Sequence, residues 1–331
     1  MDLVSVIIPT YNDPEKLLLA IRSVLNQTYK YFEIIIINDG SSVSYESIHD
    51  FINDNKDINI LLFDKVNEGP GLARQYGLEK AKGKYIQYLD SDDELLPNKL
   101  MLQVELLSKN PDVVMTYGLS MINNNPSYIH KGKINRTEVD DLLISTLEVR
   151  KWHTSSCLWN YPKGNYWLAF FNGEDVLHDF NVSLNCNRKV IFKNVLVTNI
   201  NFDDSISHLS NAHKDSSKIE RLVKNSVELN LYLYNQLKQV DLVDNKLYAE
   251  PLSERIFHSA SKLVILGFNK EALELLNLSK KLTNSKLKKI ELLTLKIIMG
   301  LPIKKKKKII QFLFDIHRVL NSSTIHQYRY V

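Results

Sequence analysis

The sequence predicts an α/β fold, a mostly parallel sheet in the N-terminal part followed by an all-α C-terminal region, on three observations. Apolar runs at Leu3 to Ile8, Glu33 to Ile37 and Tyr85 to Leu89 alternate with helical patterns, the order that winds a parallel sheet through right-handed crossovers. Each run stops abruptly in turn residues or acids: Pro9-Thr10-Tyr11-Asn12, Asn38-Asp39-Gly40-Ser41-Ser42 and Asp90-Ser91-Asp92-Asp93. After Lys214 the pattern is amphipathic-helical throughout. The expected division is one unit over 1–212 and a helical one over 213–331.

Leu3 to Ile8 shows no alternation before Pro9, as in a strand covered on both faces. Asp13-Pro14 then supplies an N-cap and an N1 proline, and Leu17, Leu18, Ile21, Val24 and Leu25 follow at helical spacing up to Asn26. After the second strand come a helix over Tyr45 to Asn53, a third strand at Ile58 to Phe63, and the turn Asn67-Glu68-Gly69-Pro70-Gly71 leading a helix to Ala81. The Tyr85 to Leu89 strand is followed by a helix over Pro97 to Ser108 and a strand at Val113 to Tyr117. From Asn123 to Ile144 no period emerges, and Asn123-Asn124-Asn125-Pro126 marks a loop. Trp152 to Trp159 reads as a strand, Gly173-Glu174-Asp175 opens a helix, Val190 to Thr198 is strand-like, and Asp203 to His208 is a loop. Five helices close the chain: Ile219 to Leu237, Lys246 to Leu266, Lys270 to Leu282, Lys286 to Met299, and Ile303 to Leu320.

Composition narrows the function classes. Hydrophobic residues at 44% and charged ones at 24% of 331 residues are ordinary for a globular protein with a sizeable core. The net charge of +4 is small and its basic residues are not spread as a nucleic-acid binder would spread them, so no nucleic-acid partner is expected. Cys157 and Cys186 lie far apart without C-x-x-C spacing, so neither a disulfide framework nor a structural zinc site is indicated, and a reducing compartment is expected. Met1-Asp2-Leu3 leads directly into a strand with no signal-peptide pattern, and no apolar run is long enough to span a bilayer. The expected location is cytoplasmic. Lys304, Lys305, Lys306, Lys307 and Lys308, next to Ile309, Ile310, Phe312, Leu313, Phe314 and Ile316, suit peripheral contact with the inner face of a membrane, or a packed or homodimer helix with a solvated basic face.

In open α/β sheets ligands bind where strands end, so Pro9, Asp39 and Asp90 share a rim that fits a nucleotide. Asp90 and Asp92, one residue apart, offer hard oxygen ligands to a divalent cation that grips phosphate oxygens.

The first third of the chain resembles the family 2 glycosyltransferases of the GT-A fold, a Rossmann-like sheet. The resemblance rests on Ser5-Val6-Ile7-Ile8-Pro9-Thr10-Tyr11-Asn12, Ser23 to Thr28, Glu33 to Ser41, Asn67-Glu68-Gly69 through Arg74, and Leu89-Asp90-Ser91-Asp92-Asp93, in the family's order. Gly173-Glu174-Asp175 extends it more thinly, because Val176-Leu177-His178 is not the usual continuation. The resemblance implies inverting transfer from an activated nucleotide sugar, most simply a UDP sugar. Pro9, Tyr11, Asp39, Arg74, Asp90 and Ser91 then lie on the donor; Tyr11 stacks on the base, Asp39 accepts hydrogen bonds from the nucleoside, and Arg74 contacts the diphosphate or pairs with Asp90. Asp90, Asp92 and the late His208 hold Mn2+ or Mg2+. Asp175 matches the base that takes the acceptor's proton, with Glu174 as alternate, and His153 and Trp152 face the acceptor. The lack of Gln-x-x-Arg-Trp, the mark of processive members, favours one sugar per acceptor: a glycan, lipid-linked or protein acceptor in surface polysaccharide or glycoconjugate synthesis.

Each of these residues also has an ordinary structural role. Asp39 suits a turn, Glu174 and Asp175 suit a helix N-terminus, and Trp152 suits a core. Two other functions compete. A nucleotide-sugar-forming nucleotidyltransferase needs a glycine-rich basic loop after the first strand, which Pro9-Thr10-Tyr11-Asn12 does not provide. A non-catalytic scaffold with partner-binding helices does not need acids kept at positions 39, 90, 92 and 175.

Overall fold

The computed structural model describes residues 1–130, 136–148, 150–201 and 216–320. The elements run β1 (Val4–Thr10), α1 (Pro14–Leu25), β2 (Phe32–Asp39), α2 (Glu46–Asp54), β3 (Ile60–Lys65), α3 (Pro70–Lys80), β4 (Tyr85–Tyr88), β5 (Asp93–Leu95), α4 (Lys99–Lys109), β6 (Met115–Ile122), β7 (Asn125–Ile129), β8 (Val139–Asp141), α5 (Leu142–Leu147), β9 (Cys157–Trp159), α6 (Glu174–Asn185) and β10 (Lys189–Ile200). Five helices follow: α7 (Ser216–Gln239), α8 (Lys246–Leu266), α9 (Asn269–Leu282), α10 (Lys286–Ile298) and α11 (Ile303–Leu320).

The strands form one sheet in the order β3-β2-β1-β4-β9-β6-β10-β5, with β7 beside β6 and β8 beside β10. β3, β2, β1 and β4 are mutually parallel, as their helical crossovers require. β9 breaks the pattern by entering antiparallel between β4 and β6.

Both faces of the sheet are covered. Val6 and Ile8 of β1 face a core with Leu17, Ile21, Ile48, Leu100 and Val104 from α1, α2 and α4. Ile7 points the other way, into a core with Ala73, Leu78, Trp152, Trp159 and Trp167. The unbroken apolar runs follow from this double burial. α3 presses closely on that second face, since a Cβ at Gly77 would lie 2.4 Å from Ile7 Cγ2. The helical region joins through a third core, in which Leu143, Leu147, Leu177 and Phe180 of α5 and α6 pack with Leu233, Ile256, Leu275 and Leu295. The expected boundary at 212/213 falls outside the described residues, and α5 and α6 share the helices' core.

Three local readings are revised. Asn123 and Asn124, at φ 50° and 57°, form the two-residue turn of a β6–β7 hairpin, a turn that asparagine tolerates. Trp152 to Trp159 is strand only over Cys157–Trp159, because a short 3-10 turn occupies Thr154–Ser156. The acidic turn hides β5, which pairs antiparallel with β10 through Asp93 and Ile200. On α11, Ile310 is 1% exposed, Ile309 and Leu313 pack on the helical core, and Lys306 is buried with its ammonium donating to the Val264 carbonyl. Ile309, Ile310 and Leu313 thus face the protein, while Ile303 at the start of the helix is 55% exposed.

Candidate active site

The rim formed by the β1, β2 and β4 ends is fastened by side chains. After β1, Asn12 turns at φ 57°; its amide donates to Ser41 Oγ at 2.8 Å and its side-chain oxygen accepts from the Ser42 amide at 2.7 Å. These bonds join the first two strand loops. Pro9 is buried in β1, and Tyr11 stands 54% exposed at the loop. Asp39, at the end of β2, accepts at Oδ1 from Lys65 Nζ (2.7 Å) and the Glu68 amide (3.1 Å), and at Oδ2 from the Gly69 amide (2.8 Å). It therefore clasps the 67–69 turn to the rim, where Gly69 adopts φ 93°, a conformation glycine takes without strain. Three donors leave a carboxylate further acceptor capacity.

From that turn α3 carries Arg74 inward. Its Nη2 donates to Asp90 Oδ1 at 2.5 Å, its Nη1 to Glu174 Oε1 at 3.2 Å, and its guanidinium lies 4.8 Å from the Trp167 ring centroid. Burial pushes the Asp90 carboxyl up, but Arg74 and then His153 more than offset it, so the net shift is downward. Burial and the neighbouring Asp175 raise Glu174, and Arg74 offsets only part of that. One guanidinium thus serves two acids with opposite tendencies, Asp90 toward the ionised form and Glu174 toward the neutral one.

Beyond Asp90 the turn places Asp93, 2% exposed and accepting from Ser155 Oγ at 2.6 Å. His153 Nδ1 is 3.3 Å from Asp93 Oδ2, and its Nε2 is 3.8 Å from Asp90 Oδ2. The ligand atoms of Asp90, Asp93 and His153 all lie within 4.8 Å of one another. Burial, then the charges of Asp90 and Asp92, push the Asp93 carboxyl well above its ordinary value. Two crowded carboxylates and one imidazole fit a hard divalent cation, whose charge reverses that repulsion. The structure thus groups Asp90 with Asp93 and His153. Asp92 and Ser91 are half-buried in the same turn, the Asp92 carbonyl accepting from Asn201 Nδ2, and Asp92 is outside the group. His208 lies outside the described residues.

Glu174 and Asp175 open α6 behind Gly173, which is left-handed at φ 96°. Asp175 Oδ2 accepts from Arg150 Nη1 at 2.7 Å and its Oδ1 from the Val176 amide at 2.8 Å. Arg150 is buried, and its Nε also donates to Asp179 Oδ2 at 2.5 Å. Asp179, fully enclosed, accepts from Trp152 Nε1 at 2.8 Å and pairs through Oδ1 with His178 Nδ1 at 2.9 Å. His178 Nε2 is 3.0 Å from the Tyr161 hydroxyl, which is 2.7 Å from that of Tyr88, and the imidazole stacks on Trp167 at 4.1 Å. Burial lowers the His178 pKa despite Asp179; a neutral ring protonated on Nδ1 satisfies both partners. Trp152, expected at the acceptor, is 1% exposed and forms part of this buried network. His153, expected beside it, stands with Asp90 and Asp93.

Asp93, Arg150, Asp179 and His178 are additions to the site read from sequence. Asp179 follows Asp175 at i+4, one turn along the same helix face, and Asp93 ends the acidic turn. Arg150 sits 25 residues before its partner with no motif around it.

Residues 5–158 match the glycosyl transferase family 2 model. An uncharacterized glycosyltransferase of Haemophilus influenzae is 44% identical over 119 residues, covering 36% of this chain and 47% of that protein. The UDP-Glc:alpha-D-GlcNAc-diphosphoundecaprenol beta-1,3-glucosyltransferase WfgD of Escherichia coli is 36% identical over 130 residues, covering 39% and 50%. A Rickettsia bellii glycosyltransferase is 43% identical over 126 residues, covering 38% of this chain and 18% of its own length. The chain thus spans half or less of the length of these relatives. In three dimensions it is similar to S. aureus TarS 1-349 in complex with UDP, at a TM-score of 0.59 with 16% identity over 100% of this chain and 94% of the other. The complex with UDP-GlcNAc gives 0.51 with 19% identity over 83% and 89%. This chain has the GT-A fold, and its residues 5–158 are similar to glycosyl transferase family 2.

Proposed function

We propose that the protein is an inverting, metal-dependent glycosyltransferase that moves one sugar from a UDP sugar to a hydroxyl of a glycan, lipid-linked or protein acceptor. The observation that carries this is the joining of two acid–arginine pairs at one rim: Arg74 with Asp90 and Glu174, and Arg150 with Asp175. UDP and UDP-GlcNAc in the TarS crystals, and a UDP-Glc donor in the name of WfgD, support the choice of nucleotide.

The chain's own residues divide the work. Tyr11 and the Asp39-clasped turn present a surface for the nucleoside, and Arg74 orients Asp90 beside the diphosphate. Asp90, Asp93 and His153 would hold Mg2+ or Mn2+, which when bound offsets charge on the leaving diphosphate. Inversion requires a base on the face opposite the leaving group, and Asp175, a carboxylate 31% exposed and held by Arg150, takes the acceptor's proton there. Glu174, buried against Arg74, fixes the start of α6.

A screen of nucleotide sugars for metal-dependent hydrolysis without acceptor tests this reading. Turnover of a UDP sugar, lost in chelator and restored by Mn2+ or Mg2+, is the expected result; equal turnover in chelator contradicts the metal role.

A further inference from the structure

Helix α10 is apolar on both sides. Its inner side buries Leu292, Leu295 and Ile298 in the helical core. Its outer side presents Ile290, Leu293 and Ile297, which are 60%, 58% and 71% exposed. Their i, i+3, i+7 spacing draws one stripe along the helix. A row of exposed branched aliphatics marks a surface that is covered in use.

The charge around the stripe selects what covers it. Lys286 and Lys289 are exposed on the same helix, and Lys304, Lys305, Lys307 and Lys308 are exposed on α11, which packs beside α10. From Leu275 to Phe314 the sequence holds eleven lysines and a single acid, Glu291. That acid is buried and paired with Lys288, so it does not balance the surface lysines. The chain as a whole is only +4, so the rest of it is net acidic and the cationic face is a local feature. A second copy docked stripe to stripe would oppose lysine to lysine, a repulsive arrangement. An anionic lipid headgroup layer over an apolar interior matches both the lysines and the stripe.

We infer that α10 is the element with which this protein lies on an anionic membrane surface, Ile290, Leu293 and Ile297 entering the headgroup boundary while the surrounding lysines attract the leaflet. This goes beyond the transferase reading and does not depend on it. It also moves the contact from α11, whose Ile309, Ile310 and Leu313 are turned into the core, to α10. Among the described residues no helix is long and apolar enough to cross a membrane, so the contact is interfacial.

The experiment is vesicle co-sedimentation of the full chain with phosphatidylcholine containing phosphatidylglycerol, against phosphatidylcholine alone. The intact chain sediments with the anionic vesicles only, and binding weakens with salt as charges are screened beyond about 8 Å. The triple variant Ile290→Gln, Leu293→Gln, Ile297→Gln binds at least tenfold more weakly, while its circular dichroism and its monomer mass stay as in the parent. Lys286→Gln with Lys289→Gln weakens binding severalfold. If the intact chain ignores anionic vesicles, or the triple variant binds as the parent does, the inference is overturned. A dimer that the triple variant alone abolishes, with no vesicle binding, overturns it in favour of a second copy.

Discussion

Arg150 Nη1 stands 2.7 Å from Asp175 Oδ2 while the same guanidinium donates through Nε to the buried Asp179. The carboxylate proposed as base is thus aimed by a cation that is itself fixed from below by Asp179, Trp152 and His178. The rigidity of Asp175 comes from this pair, since Gly173 in front of it makes no side-chain cap.

Removing that cation separates aiming from folding. Arg150→Met leaves Asp179 enclosed without its cation and should cost about 3–5 kcal/mol in denaturant unfolding, the usual result of breaking a buried pair. Arg150→Lys keeps the charge but cannot span both carboxylates with a planar fork. It should fold and bind UDP normally, with transfer reduced by up to roughly 10²-fold through misplacement of Asp175. A lysine variant with parental kcat shows that Arg150 serves the fold alone.

The metal group makes a separate prediction. Asp93→Asn and His153→Ala should each raise the Mn2+ concentration needed for half-maximal activity by roughly tenfold or more, because loss of even an outer partner of a ligand costs that much. Asp92→Asn tests the remaining acid of the turn, and its metal titration should shift less than that of Asp93→Asn. The reverse order assigns the ion to Asp90 and Asp92.

Lys99 gives a pH dependence unconnected to catalysis. Burial pushes its ammonium down to about 7, although oxygens of Gln87, Gln103 and Cys157 surround it. Between pH 7 and the ordinary lysine range near 10.5 the unfolded chain binds the extra proton, so stability rises with pH across that window. Below pH 7 both states carry the proton and the slope from this group vanishes. Denaturant midpoints from pH 6 to 9 should climb in the parent and flatten in Lys99→Met. An equal slope in both removes Lys99 as the cause.

What was legible in the sequence is what local physics dictates. Unbroken apolar runs announce strands buried on both faces, and the acids at their ends announce the rim, because both features are written in contiguous residues. The antiparallel entry of β9 between β4 and β6 was not legible, since three residues cannot distinguish strand direction. β5 was hidden because Asp93 reads as turn chemistry, yet its carboxyl is buried by pairing with β10 from more than a hundred residues away. The Arg150 pairing was invisible because no motif surrounds Arg150, 25 residues before Asp175. The basic run on α11 was legible as charge, but which face of that helix met the core depended on packing with α8.

Asp175→Asn tests the central claim most directly, in paired measurements of UDP-sugar binding and of transfer. Asp175 lies inside α6, behind the cap residue Gly173, so no cap is lost, and the amide oxygen still accepts from Arg150, so fold and donor affinity should hold. Asparagine cannot take a proton, so transfer should fall by roughly 10²–10⁴, the usual contribution of a general base. A variant that binds the donor and still transfers at the parental rate contradicts the account.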